Sequence, residues 1–134
     1  MLARFFKPNW QHAKPAKRIK AIARLNENLA EDQSIISRLA AQDLDDSVRL
    51  AAIEKLNNLS QLITISTHDP ADQNRQQALH NVSQILLKST SITLDEKCNA
   101  LRTIGSHDLL IHLILNSNEE ALRSQALEQL DNNA

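Results

Sequence analysis

One pattern occurs five times along this chain: a basic residue, an alanine three places later, an aliphatic at four and another aliphatic at seven. The copies are Arg18, Ala21, Ile22 and Leu25; Arg49, Ala52, Ile53 and Leu56; Arg75, Ala78, Leu79 and Val82; Lys97, Ala100, Leu101 and Ile104; and Arg123, Ala126, Leu127 and Leu130. Their basic positions lie 31, 26, 22 and 26 residues apart. Offsets three, four and seven share one face of an α-helix, so each copy reads as an amphipathic helix. Recurrence at a near-constant period implies units that bury their apolar faces against one another.

A second apolar stretch lies before each of the later copies: Ile35, Ile36, Leu39 and Ala40; Leu59, Leu62 and Ile63; Ile85, Leu86 and Leu87; Leu109, Leu110, Leu113 and Ile114. Each unit therefore reads as a helical hairpin. Asp69 before Pro70 predicts a helix start, and Thr93 with Glu96 and Ser117 with Glu120 both predict capping boxes. Gly105 follows Ile104 where a helix end favours a left-handed residue. At Val82, Ser83 and Gln84 there is little room for a turn, which predicts one helix from about residue 71 to 88.

Composition agrees. Leu, Ala and Ile dominate the 134 residues, with two Val, one Gly and no Tyr, which favours helices and starves strands and hairpin turns. The expectation is an all-α single domain: a right-handed α-solenoid of about five short hairpins over residues 13–131, behind an aromatic and basic cap at 1–12. A lone Cys98 excludes an intrachain disulfide, no apolar run is long enough to span a bilayer, and the charged N-terminus lacks the core of a signal peptide. The expected compartment is cytoplasmic.

Asp45, Val48, Arg49 and Ala52 resemble the opening of the second helix in short HEAT-like repeats of the phycobilisome-lyase type. Asp72 with Arg75 and Glu120 with Arg123 keep an acid three places before the base. Pro15 and Leu94 replace that acid in the first and fourth units, so a ladder of acid–base contacts between units is expected to break at both. The run from Phe5 through Trp10 to His12 is similar to the start of long uncharacterised bacterial proteins with a domain of unknown function. In that family such repeats are an N-terminal segment, which implies that this chain is the N-terminal part of a longer protein.

The outward face of the second helices is expected at offsets two, five and six. With Lys17 added, it offers Lys17, Lys20, Arg24, Lys55, Gln77, His80, Asn81 and Arg102 as candidate partner-binding residues. Charge runs along the chain: residues 1–30 hold seven Lys/Arg and one Glu, residues 31–134 eight and fifteen acids. The reading is a non-catalytic protein-interaction scaffold for a peptide or protein partner, with no cofactor or metal. The alternative is a nucleic-acid-binding module using the basic N-terminal segment. Nucleic acid is the less favoured partner because a phosphate backbone needs a sustained basic stripe. A remoter alternative is a lyase or other enzyme on the same scaffold. Iron-dependent hydroxylases built of such repeats carry repeated His-Glu pairs, absent here, and no pigment-site motif of the bilin lyases is present. His68 with Asp69 and His107 with Asp108 read as helix starts. Cys98 reads as packing, since nothing beside it in sequence acts as a base. At the other end, Leu109, Leu110, Leu113, Ile114, Leu127 and Leu130 predict some open apolar surface on the last hairpin, covered either by continuation of the solenoid in a longer polypeptide, the favoured outcome, or by self-association.

Overall fold

Residues 9–132 are described by a computed structural model. They form a 3-10 turn at Asn9–Gln11 and eight α-helices: α1 (Pro15–Arg24), α2 (Ala30–Gln42), α3 (Asp46–Lys55), α4 (Leu59–His68), α5 (Asp72–Lys88), α6 (Leu94–Ile104), α7 (His107–Asn116) and α8 (Glu120–Asn132). No strand occurs among the described residues. Of the expected N-terminal cap, the part with Phe5 and Phe6 lies outside them. Trp10 is half-buried against the core, with the Arg38 guanidinium 5.7 Å from its ring centroid.

Local chemistry sets most boundaries. Pro15 opens α1, the Asp45 carboxylate accepts the Ser47 and Val48 amides, Asn58 accepts Gln61, and Ser106 accepts Leu109. Thr93 and Glu96 form the expected capping box, and Gly105 ends α6 at φ 63°, in the left-handed region. Two expectations fail. Asp69 does not start a helix: it closes α4, and α5 begins at Asp72. Ser117 likewise closes α7 and accepts the Glu119 amide, while α8 starts at Glu120. His68, read as a helix start, is therefore the last residue of α4.

Contacts pair α2 with α3, α4 with α5 and α7 with α8. The first unit has the 3-10 turn against α1 in place of a first helix. The fourth has none of its own, because α5 runs unbroken through Val82, Ser83 and Gln84, where no Gly, Pro or Asn interrupts it. Second helices lie side by side, α1 on α3, α3 on α5 and α6 on α8. Ala21, Ala52, Ala78, Ala100 and Ala126 are all buried in these contacts, as the register requires.

The basic residue that opens each pattern ties the units together. Where it is an arginine it reaches back to a carbonyl six residues earlier: Arg18 Nη1 donates to His12 O at 2.7 Å, Arg49 to Asp43 O at 2.9 Å, Arg75 to Asp69 O at 2.6 Å and Arg123 to Ser117 O at 2.8 Å. It also reaches forward to a carboxylate of the next unit. Arg18 Nε and Nη2 each lie 2.9 Å from the Asp43 carboxylate, Arg49 Nε lies 3.0 Å from Asp69 Oδ2, and Lys97 Nζ lies 2.9 Å from Glu119 Oε2. The expected breaks at the first and fourth units are thus wrong. The acid three places before the base serves its own helix, as Asp46 with Arg49 and Asp72 with Arg75. The acid that bridges units sits in the turn before the next second helix, so Pro15 and Leu94 do not matter to it. The rung that is missing lies between the third and fourth units, where Arg75 meets no carboxylate but Asp72 among the described residues.

Arg49 and Asp69 expose only 9% and 4% of their side chains. Asp69→Ala removes the buried one of the two carboxylates on this guanidinium, leaving Asp46 and the Asp43 carbonyl, and should cost about 1.5–3 kcal/mol in urea unfolding. Burial alone would raise the Asp69 pKa, but bonds from Arg49, then the Ala71 amide, outweigh it and hold it below the ordinary value. A depressed carboxylate contributes stability that is complete above its unfolded pKa of about 3.9 and is lost as pH falls through the lower folded value. Acidification below about pH 4 should therefore lower the unfolding midpoint. In Asp69→Asn the fall should be shallower; parallel profiles would show that the pair contributes nothing.

Candidate functional site

The outward face divides into residues that are free and residues that hold the array. On α1, Lys17, Lys20 and Arg24 are exposed and fall on one side of the helix. No carboxylate lies within 4.0 Å of them among the described residues. Their scaffold is fixed, because Arg18, between Lys17 and Lys20, is clamped to Asp43.

Offset six behaves differently. Lys55 Nζ donates to Ala23 O at 3.0 Å and Leu25 O at 2.7 Å, the last carbonyls of α1, with Glu27 at 3.8 Å. Asn81 Nδ2 donates to Ile53 O at 2.7 Å and Leu56 O at 3.4 Å, at the end of α3. Gln129 Nε2 donates to Leu101 O at 2.7 Å, near the end of α6. Each donor reaches carbonyls at the end of the neighbouring second helix, where Ile53 O and Leu101 O also accept the closing amides of Leu56 and Gly105. Gln77 Nε2 in turn donates to Asn81 Oδ1 at 2.9 Å and orients it. Lys55, Gln77 and Asn81 are thus half-buried and bonded within the array. Thr103, the same position in the fourth unit, bonds only its own helix, at Asn99 O.

His80 and Arg102 remain exposed on α5 and α6. Arg102 donates to Asn99 Oδ1. His80 lines a groove of about 280 Å³ between α5 and α7 with Ser83, Ser106, Asp108 and His112. Both hydroxyls there are engaged with the backbone, Ser83 donating to His80 O and Ser106 accepting the Leu109 amide, so neither is set up as a nucleophile. Among the described residues no three His, Cys, Asp or Glu side chains gather as a metal site, and no helix is long and apolar enough to cross a membrane. Cys98 is buried, and that burial raises its thiol pKa, with Asp95 and Glu119 adding and Arg102 opposing. A thiol held protonated in this way is a poor nucleophile.

The candidate residues therefore do not form one continuous site. Lys17, Lys20 and Arg24 come together; His80 and Arg102 stand apart; Lys55, Gln77 and Asn81 are structural partners of neighbouring helices. One feature was not read from the sequence. Leu44 is 97% exposed in the turn between α2 and α3, with clefts of about 400 and 450 Å³ on either side, one lined by Thr64, His68 and Pro70, the other by Trp10, His12 and Arg38. Its flanking residues Asp43 and Asp45 are fixed by the Arg18 bridge and the α3 cap, which leaves Leu44 to project.

No family model, curated protein or solved structure matches the chain.

The division of the face is testable by truncation. Asn81→Ala removes bonds to the end of α3 and should lower stability by about 1–2 kcal/mol. Arg24→Ala, at the same offset but exposed, should stay within about 0.5 kcal/mol of the parent. Equal effects in chemical denaturation would mean that offset six is one class of surface position.

Proposed function

We propose that the chain is a non-catalytic protein-interaction scaffold. In this reading it is a right-handed α-solenoid of short HEAT-like units that binds an acidic segment of a partner protein on the face of its second helices, starting at α1. The observation that carries the reading is the exposed triplet Lys17, Lys20 and Arg24, which has no carboxylate within 4.0 Å among the described residues. Three cations on a rigid helix attract an acidic segment and raise its rate of encounter. Along the same face, His80 and Arg102 offer further exposed donors.

A peptide is favoured over a polyanion by how briefly the positive charge lasts. Beyond residue 30 acids outnumber Lys and Arg by fifteen to eight, so a duplex laid along the face would leave the basic helix after a short contact. Retention of proteins by the immobilised chain, compared with a Lys17→Glu, Lys20→Glu, Arg24→Glu triple variant, tests the reading. The variant should fold as the parent does, because all three positions are exposed, and should lose the acidic polypeptides that the parent retains. Undiminished retention would contradict the proposal. Salt-resistant binding of duplex DNA would favour the nucleic-acid module instead.

A further inference from the structure

We infer that the outward side of the α7–α8 hairpin is a homodimer interface, with α8 of two copies packed antiparallel across a two-fold axis at Leu127. The inference is independent of the partner-binding face on α1.

Within the array, the aliphatic at offset four is covered by neighbouring helices: Ile22, Ile53 and Leu101 are buried and Leu79 is half-buried against the core. In α8 the same offset is Leu127, which is 55% exposed. The first helices tell the same story when aligned on their closing residues Asp43 and Ser117. Ile111 then takes the place of Ser37, whose hydroxyl bonds Gln61 of the next unit at 2.6 Å. Leu115 takes the place of Ala41, which lines the cleft against Thr64 and His68 of the next unit. Ile111 is 43% and Leu115 77% exposed. Three of the five large aliphatics that the described residues expose therefore lie on one side of one hairpin. A patch of that kind marks an interaction site.

Charge identifies the occupant as a second copy. Arg123, Leu127 and Asp131 stand at i, i+4 and i+8, one stripe along α8. Arg123 keeps its backward bond to Ser117 O, but no carboxylate lies within 4.0 Å of it among the described residues, unlike Arg18 and Arg49. Asp131 is exposed, with no cation in reach among the same residues. A two-fold axis at Leu127 sets each Arg123 against the other copy's Asp131 and each Leu127 against its equivalent. The surface is complementary to itself, the condition for an isologous dimer. Head-to-tail stacking fails the same test. The first unit carries His12 six places before Arg18, where Asp43 and Asp69 stand before Arg49 and Arg75, so Arg123 of a preceding copy would meet no acid.

Sedimentation equilibrium of the intact chain, with far-UV circular dichroism to verify folding, tests the proposal. The parent should be a dimer at concentrations of tens of micromolar, and Leu127→Glu a folded monomer. Arg123→Glu and Asp131→Arg should each weaken the dimer by about tenfold or more, equivalent to about 1.4 kcal/mol. The two together in one chain should restore it, because the pair is rebuilt with its charges exchanged. If Leu127→Glu does not fold, the exposed Asp131→Arg carries the test. A parent that stays monomeric, grows beyond a dimer, or dimerises regardless of Leu127 and Asp131 overturns the inference, as does a double variant no better than its singles.

Discussion

The Arg49 guanidinium sits among three helix ends and is satisfied from each: the Asp43 carbonyl that closes α2, the Asp46 carboxylate in the first turn of its own helix, and the Asp69 carboxylate that closes α4. A cation in so little water would be a liability without these partners, because desolvation is repaid only when geometry and hydrogen bonding are complete. Completeness is what makes it specific. The group fixes the turn of its own hairpin and the position of the next one, and the apolar contacts between Ala52, Ala78 and their neighbours follow from that placement. At the opposite edge Lys55, Asn81 and Gln129 do the same for second-helix C-termini, so a unit is held to its neighbour at both ends of its helix.

Both sets of contacts lapse at one joint. Arg75 lacks a forward carboxylate and Thr103 stays on its own helix, at the place where α5 has absorbed the first helix of the fourth unit. The two halves are joined by apolar packing of α4 on α6 and α5 on α7. Apolar packing is less directional than a bidentate ion pair, so this joint has the least to define its angle.

Much of this was legible in the sequence because it is local. The alanine register, the unbroken helix from about 71 to 88, the Thr93–Glu96 box and the Gly105 terminus depend on residues within one or two turns of each other. The acid–base ladder was misplaced for the opposite reason. An acid three places before a base is the pairing a single helix suggests, and Asp46 and Asp72 do make it. The bridging acids Asp43, Asp69 and Glu119 acquire their partners only when hairpins stack, at separations of 25, 20 and 22 residues. A regular spacing was still there to find: Asp43 and Asp69 each stand six places before Arg49 and Arg75. Offset six was misjudged similarly, since a helical wheel shows Lys55 and Asn81 pointing outward but not the neighbouring helix end that receives them. Among the candidate residues, only those on α1 and the isolated His80 and Arg102 kept the exposure the wheel assigns.

Directional contacts at the two ends of each second helix, rather than apolar burial alone, couple the units. Native-state hydrogen exchange at increasing denaturant tests this coupling most directly, because it reads the opening free energy of each helix. The helices α1 to α5 should open together, while α6 to α8 open as a separate and less stable group, with the boundary at residues 89–93. A single opening transition shared by all the helices, or a boundary between α3 and α4, where Arg49 bridges to Asp69, would contradict it.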